Sequence, residues 1–394
     1  MALLDLWTKS PDQLQDKQVH QLIAFAGGGK LLDESPCSTE FRAFLASVPS
    51  KNLSKYAGQC LTESFDGSGF ALQDIVNEVG ARLGASTETG RYRGTSKHTG
   101  LDGLWRFPNG HAIVIEVKTT DVYSINLNTI AEYRRKVVLS GAINEDNSSI
   151  LLVVGRQETG NLEAQIRGSR FAWNIRVISV DALLRLMFIK EDVEDPVLVQ
   201  RIHNMLIPRE FTRLDAIADL LFSATEEVKQ DEETLEVEDG GKSEKSEGPK
   251  FTPVAFHDAC VKRVQANLGV SVIKRTRAGY STPDKSLAVL CSVSKEHSPD
   301  SSPNYWFAFH PHQQDFLKQH SKAYVAFGCG SSKRVILIPY ATFEPLLADS
   351  WTTTAEDRTY WHVAIYRKDS TYTLRLRKGS KPIDLSSFAL PEEV

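Results

Sequence analysis

Residues 101–119 read LDGLWRFPNGHAIVIEVKT, and this stretch decides the fold prediction. Pro108-Asn109-Gly110 is a strong turn signal. On either side, Leu101 to Phe107 and His111 to Thr119 are mostly apolar, and the second run is rich in β-branched residues. That composition is typical of strands. The stretch therefore predicts a β-hairpin whose second strand is apolar enough to lie in the middle of a sheet.

The length of the turn decides which residues face each other across the hairpin. A three-residue loop pairs Phe107 with His111 and, counting outward, places Asp102 opposite Glu116. A two-residue loop places Asp102 opposite Val117 instead. In the first register the two acidic Cβ atoms are about 4.5–5.5 Å apart. The sequence leaves both registers open.

The hairpin also gathers charges on one face. Side chains alternate along a strand, so Glu116 and Lys118 share a face while Val117 points to the other. In the first register Asp102 joins them, and two close carboxylates repel each other. A divalent cation removes that conflict, and hard oxygen ligands suit Mg²⁺ or Mn²⁺. A charged group kept on so apolar a strand favours a metal site over an ordinary ion pair.

Helices and strands alternate around the hairpin. Apolar residues at helical spacing from Leu72 to Leu83 predict a helix that ends at Gly84. The segments predicted after the hairpin are a helix over Leu127–Val138 capped by Asn126 or Asn128, a strand over Ile150–Val154, a helical stretch, a strand over Ile175–Val180, a helix over Asp181–Phe188 and a helical region over 195–223. This order predicts an α/β fold in which helices flank a mixed sheet.

The arrangement resembles the PD-(D/E)xK nuclease superfamily. The matching residues are Asp102 on one strand and Glu116-Val117-Lys118 on the next, with thirteen residues between the acids. The resemblance covers roughly residues 70–190 and implies a restriction-endonuclease-like core. It implies that Asp102, Glu116 and the Val117 carbonyl hold Mg²⁺ or Mn²⁺, and that Asp102, Glu116 and Lys118 are the catalytic residues.

The chain departs from the family pattern at two positions. Many members carry a metal-facing glutamate on the helix before the hairpin, and Gln73 occupies that position here. Asp74 and Glu78 are neighbouring candidates on the same helix. Leu101 replaces the proline that precedes the first acid. The first departure leaves open whether the site holds one metal ion or two.

Local charge is compatible with nucleic acid as a partner, although the whole chain has a net charge of −4. Residues 82–136 hold nine Lys or Arg against five Asp or Glu. Attraction to phosphates depends on such local fields rather than on total charge. The candidate contacts for nucleic acid are Arg91, Arg93, Lys97, Tyr133 and Arg134.

Composition divides the chain into four segments. Residues 1–69 are predicted to form an N-terminal helical region, and residues 70–225 the nuclease domain. Residues 226–250 hold ten acids, four lysines and few large apolar residues, so they predict an acidic flexible linker. Residues 251–394 predict a C-terminal α+β domain.

The C-terminal segment is rich in aromatic residues and predicted strands. It holds eighteen Lys or Arg against thirteen Asp or Glu, which favours a DNA-recognition or sensing module. Lys274 to Lys295 has features of an eroded second nuclease core. Val293 stands where an acid would be needed, two residues before Lys295, so we expect no activity there.

These observations predict a metal-dependent endonuclease that hydrolyses DNA, and the resemblance adds restriction or defence as a role. There are two alternatives: a nuclease fold that binds nucleic acid without cutting it, and a nuclease that acts on RNA.

Five scattered cysteines without a CxxC pair favour a cytoplasmic protein with free thiols. The sequence contains no run of eighteen apolar residues, so we expect no membrane helix. Cutting both strands often requires a dimer, so a homodimer is a partner to test.

Overall fold

The computed structural model of the chain describes residues 2–63, 65–93, 100–119, 125–155, 160–193, 196–208, 253–296, 305–354, 359–368, 371–377 and 381–391. The chain divides into two compact units, Met1–Lys229 and Gln230–Val394. The predicted acidic linker, 226–250, lies outside the described residues.

The first unit is a mixed α/β structure, as its sequence predicts. Its strands are β1 Ser86–Thr89, β2 Gly103–Arg106, β3 Ala112–Lys118, β4 Ser148–Val154 and β5 Ile175–Ser179. Its helices are α1 Ala2–Lys9, α2 Asp12–Gln15, α3 Val19–Phe25, α4 Pro36–Ser47, α5 Ser50–Thr62, α6 Ser68–Arg82, α7 Leu127–Leu139, α8 Gly160–Arg167, α9 Val180–Asp192 and α10 Pro196–Met205.

The five strands form one sheet in the order β1-β2-β3-β4-β5. Strands β1 and β2 are antiparallel, and so are β2 and β3, whereas β3, β4 and β5 are parallel to one another. A parallel pair needs a crossover connection, and α7 and α8 provide one each. At the start of α7 the Asn126 side chain accepts hydrogen bonds from two backbone amides, so Asn126 is the cap of the two predicted candidates.

Alternation along the strands gives the sheet two apolar faces. One face, with Ile113 and Ile115, packs in a core that includes residues of α6 and α9. The opposite face, with Val114 and Leu152, packs in a core formed with α7 and α8. Both faces of β3 are buried from Ala112 to Val117, so the charge of Glu116 is held away from bulk water, whereas Lys118 at the end of the strand is partly exposed.

The N-terminal helices share the first of these cores. Leu3 of α1, Phe41 and Phe44 of α4 and Tyr56 of α5 are fully buried in the same cluster as Trp105 of the sheet. Residues of α1 to α5 and of α6 therefore close over one face of the sheet in a single hydrophobic core.

The described part of the second unit contains helices and two sheets. Its helices are α11 Pro253–Leu268, α12 Pro311–Lys318 and α13 Tyr340–Phe343. Its strands are β6 Ile273–Lys274, β7 Gly279–Ser281, β8 Leu287–Ser294, β9 Tyr305–Phe309, β10 Lys322–Cys329, β11 Val335–Pro339, β12 Thr352–Thr354, β13 Thr359–Lys368, β14 Thr371–Arg375 and β15 Ile383–Asp384. One sheet has the order β6-β7-β8-β10-β11, and the other has β12-β13-β14-β15 with β9 paired to β13.

The β6-β7-β8-β10-β11 sheet repeats the strand pattern of the first unit. Its first three strands are antiparallel, and β8 and β10 are parallel, as are β3 and β4. The last strand differs, because β11 is antiparallel to β10. The residues corresponding to the pair Asp102 and Glu116 are Ala278 and Cys291, whose backbone groups share a 2.8 Å hydrogen bond. By strand order Val293, rather than Lys295, corresponds to Lys118, so this sheet lacks the acid pair.

Gly80 of α6 allows the helix to approach the sheet closely. A Cβ atom added there would overlap the ring of Trp105, which is fully buried. We expect Gly80→Ala to lower the free energy of unfolding of the first unit by about 1–3 kcal/mol or more, because a full core cannot take the extra carbon without strain. Urea unfolding followed by circular dichroism measures the change.

The matched control is Gly58→Ala on α5, where an added Cβ meets nothing within 4 Å. Alanine there should be neutral or stabilising by up to ~1 kcal/mol, as for an open helical position. Equal unfolding midpoints for the two variants would contradict this packing.

Candidate active site

The hairpin adopts the register of the three-residue loop. The Phe107 amide donates to the His111 carbonyl at 3.0 Å, and the Gly110 amide donates back to the Phe107 carbonyl at 3.0 Å. Gly110 has φ +82°, a conformation that glycine adopts without strain. Gly103 pairs with Ile115, so the residue before Gly103 lies opposite the residue after Ile115. The acids Asp102 and Glu116 are therefore on facing positions, as the first of the two predicted registers requires.

Asp102 takes part in the strand pairing through its side chain. Its Oδ2 accepts the Val117 amide at 2.7 Å, and its own amide donates to the Ile115 carbonyl at 3.1 Å. A carboxylate thus occupies the place of a backbone carbonyl at the end of the ladder. This fixes the Asp102 carboxylate beside β3.

Glu116 and Lys118 form an ion pair on the same face of β3. Lys118 Nζ lies 2.6 Å from Glu116 Oε1, and the side chains are 37% and 8% exposed, respectively. The other carboxylate oxygen of Glu116, Oε2, is buried and has no hydrogen-bond partner among the residues that the structure describes. An unpaired buried carboxylate oxygen is costly. It is therefore a group that a cation would stabilise.

The acids interact electrostatically. Burial, together with the negative charge of Glu116, raises the pKa of Asp102 to about 7, although the Val117 hydrogen bond and the Lys118 charge oppose the shift. For Lys118, burial disfavours the ammonium ion. The hydrogen bond and charge of Glu116, with the charge of Asp102, outweigh that effect and hold the pKa of Lys118 above its usual value.

The donor set fits one hard divalent cation. With all three groups ionised, Asp102, Glu116 and Lys118 sum to a charge of −1 in a largely buried place. Mg²⁺ usually takes one or two carboxylates and completes its shell with water and phosphate oxygens. Across the described ranges no group of three or more His, Cys, Asp and Glu ligands occurs. The fit therefore depends on the two acids and the unpaired Glu116 oxygen.

Helix α6 supports Asp102 with amides rather than with an acid. Gln73 Nε2 and Asn77 Nδ2 each donate to the Asp102 carbonyl oxygen at 2.9 Å. Asn77 Oδ1 also accepts from Trp105 Nε1 at 3.0 Å. Gln73 therefore contacts Asp102 through that residue's backbone carbonyl and not through its carboxylate. Asn77 was not predicted, and its signal in the sequence is its position four residues after Gln73 on the same helix face.

The other two candidates from α6 point elsewhere. Asp74 is buried against Arg42, whose Nε lies 2.8 Å from Asp74 Oδ1, and it accepts a hydrogen bond from the Tyr92 hydroxyl. Glu78 pairs with Arg82 at 2.9 Å. Asp74 and Glu78 were candidate first-helix contributors to the metal site, and these contacts correct that expectation because an arginine already pairs with each carboxylate.

The predicted nucleic-acid contacts have different surroundings. Arg91 pairs with the exposed Glu34, and Arg93 is exposed. Lys97 lies outside the described residues. Tyr133 of α7 is half-buried, and its electrostatic interaction with Lys118 contributes to the raised pKa of that lysine. Tyr133 therefore lies near enough to Lys118 to interact with it electrostatically.

Arg134 requires a correction. It is 8% exposed and donates to the Ser148 hydroxyl at 3.0 Å and to the Glu145 carbonyl. Ser148 begins β4, and the acids lie toward the other end of the sheet. The Arg134 guanidinium therefore binds the chain itself and does not face the candidate site.

Comparison with known proteins gives no relative: no family model matches the chain, and no curated protein matches it significantly. Within the described part of the chain, no helix is long and apolar enough to cross a membrane.

The raised pKa of Asp102 predicts a pH-dependent stability in the absence of metal. A carboxyl whose pKa rises from 3.8 to about 7 on folding stabilises the fold fully below the lower value. This contribution is lost as the pH rises through 7. Asp102→Asn removes the titration and keeps an acceptor for the Val117 amide. We therefore expect the variant to gain on the native protein by up to about 4 kcal/mol between pH 4 and pH 8.

Urea unfolding in the presence of a chelator, at a series of pH values, measures this difference. Glu88→Gln is the matched control, because Glu88 is an exposed acid of β1 paired with Arg106. The control should follow the native curve. A stability difference for Asp102→Asn that does not change with pH would contradict the assigned burial of this carboxylate.

Proposed function

We propose that this chain is a metal-dependent nuclease that hydrolyses phosphodiester bonds in DNA. In this proposal Asp102 and Glu116 hold Mg²⁺ or Mn²⁺, and Lys118 is the catalytic lysine. The single observation that carries the proposal is the buried Glu116 Oε2, which lacks a partner among the described residues and belongs to the acid facing Asp102. A divalent cation bound by both carboxylates would satisfy that oxygen and offset the excess negative charge.

The order of elements supports a restriction-endonuclease-like core. Helix α6 precedes the β2–β3 hairpin, and α7, β4, α8 and β5 follow in turn. The two acids and the lysine lie where β2 begins and β3 ends. This matches the order of the PD-(D/E)xK pattern, in which one strand carries the first acid and the next carries Glu-x-Lys.

Each residue of the site has a chemical task in this proposal. When bound, Mg²⁺ or Mn²⁺ polarises the scissile phosphate and lowers the pKa of a bound water. The Val117 amide holds the Asp102 carboxylate in place, and Gln73 and Asn77 hold the backbone carbonyl of the same residue. Lys118 is partly exposed, so its ammonium can donate to a phosphate oxygen and stabilise the negative charge that develops during hydrolysis.

Plasmid cleavage tests the proposal directly. The native chain should cut DNA in the presence of Mg²⁺ or Mn²⁺ and stop when a chelator is added. Asp102→Asn and Lys118→Met should each lower the rate by roughly 100-fold or more, because each removes a charged group from the reacting centre. Quantified gels give the rates, and circular dichroism checks that each variant is folded.

Two control variants each remove an exposed charged residue and leave Asp102, Glu116 and Lys118 unchanged. Glu88→Gln removes an exposed acid of β1, and Lys136→Met removes an exposed lysine of α7. Both should cut like the native chain. Cleavage that persists in both site variants would remove this assignment, and binding without products would favour the non-cutting alternative. Parallel DNA and RNA substrates distinguish a DNA nuclease from an RNA nuclease.

A further inference from the structure

In the second unit, the sheet formed by β9 and β12 to β15 carries aromatic rings on the face that points away from the core. Along β13, Val363 and Ile365 point into the core, so Tyr360, His362 and Tyr366 point the other way. On β9 the side chains of Tyr305, Phe307 and Phe309 pack in the core, so Trp306 between them points outward. We use the name aromatic face for Trp306, Tyr360, His362, Tyr366 and Arg375, none of which is among the buried residues of the hydrophobic cores.

The rings of this face lie close together. The Trp306 and His362 ring centroids are 5.5 Å apart, and those of Tyr360 and His362 are 5.0 Å apart. The rings of Trp306 and Tyr360 meet edge to face at 6.2 Å. His310, which follows β9, extends the row with its ring centroid 5.5 Å from that of Tyr360. The result is a continuous strip of half-buried rings.

Hydrogen bonds hold the rings in place. Trp306 Nε1 donates to His362 Nδ1 at 3.1 Å, and His362 Nε2 lies 2.7 Å from the Thr353 hydroxyl. Because Nδ1 accepts, the proton of the neutral imidazole is on Nε2, which donates to Thr353. Burial lowers the pKa of His362, which favours this neutral form. The face is therefore preorganised, so little conformational entropy is lost when a ligand binds.

Positive charge borders the rings. Arg375 is exposed and lies opposite Ala364 on the neighbouring strand, with its guanidinium carbon 4.1 Å from the Tyr366 ring centroid. Lys368 is exposed two residues beyond Tyr366. Among the described residues, β15 contributes the acid Asp384, whose Oδ1 accepts the amide of Ser386 at 2.8 Å. Arg375 of β14 and Lys368 at the end of β13 thus supply positive charge beside the rings, where a phosphate backbone would be attracted.

We propose that the aromatic face binds single-stranded nucleic acid. Bases of a single strand expose their flat surfaces, and base–aromatic stacking tolerates any sequence. A row of fixed rings beside an arginine and a lysine matches both parts of such a ligand, the bases and the phosphates. A duplex keeps its bases stacked inside, so their flat surfaces are not available to rings on a protein surface.

This binding site goes beyond the proposed nuclease function and does not depend on it. The residues concerned belong to the second unit, whereas Asp102, Glu116 and Lys118 belong to the first. Loss of binding at the aromatic face and loss of cleavage are separate measurements, so each proposal can fail alone.

Fluorescence anisotropy with the full-length chain tests the proposal. The chain carries Asp102→Asn and a chelator is present, so that bound strands are not cut. The probes are labelled oligothymidylate, oligouridylate and a DNA duplex of equal length. We expect single strands to bind more tightly than the duplex. Trp306→Ala, and separately Tyr360→Ala, should each weaken the binding of single strands about 5- to 100-fold, as expected for the loss of one stacking ring.

Three further variants control the measurement. Trp306→Phe keeps a stacking ring and should retain most of the affinity. Trp173→Ala removes a tryptophan of the first unit that is 63% exposed and should leave the affinity unchanged. Arg375→Ala should weaken binding and reduce its salt dependence. The two oligonucleotides distinguish DNA from RNA as the preferred strand. The proposal is overturned if neither oligonucleotide binds, or if folded Trp306→Ala and Tyr360→Ala chains bind as tightly as their parent.

Discussion

The hydrogen bond from the Val117 amide to the Asp102 carboxylate is the interaction on which the candidate site depends. It locks an acid into the end of the β2–β3 ladder, directly across from Glu116. Burial then makes the two negative charges costly, as the raised pKa of Asp102 reflects. Lys118 compensates only one of them, and one Glu116 oxygen has no hydrogen-bond partner among the described residues. A fold that holds two acids so closely is suited to a cation.

The rest of the first unit serves to maintain this geometry. The three-residue turn at Pro108-Asn109-Gly110 sets the register, since a shift of one residue would place Val117 opposite Asp102. From the other side, Gln73 and Asn77 of α6 donate to the Asp102 carbonyl, and Gly80 lets the same helix approach Trp105. Because α1 to α5 pack in the same core as α6, the N-terminal helices stabilise the helix that supports the acid.

Local patterns were sufficient to predict the hairpin and the α/β order, because turn residues and alternation report directly on strand pairing. The sequence could not choose between the two registers, since that depends on the loop conformation at Gly110. Exposed β1, Ser86–Thr89, was missed because an edge strand without apolar alternation has no strand signal. Asp74 and Arg134 were candidate functional residues, but each is bound within the fold. Asp74 pairs with Arg42, and Arg134 donates to Glu145 and Ser148, and residue type does not encode such contacts.

The second unit has the same strand pattern around Ala278 and Cys291 that the first has around Asp102 and Glu116, which shows that the sheet alone does not make the site. The most direct test of the central claim is a crystal of the full-length chain soaked in Mn²⁺ and measured by anomalous diffraction. A peak bound by the Asp102 and Glu116 carboxylates is the predicted result. The account would be contradicted if Mn²⁺ bound at other places in the soaked crystal but gave no peak at these two carboxylates, and if both carboxylates were bound only by protein groups.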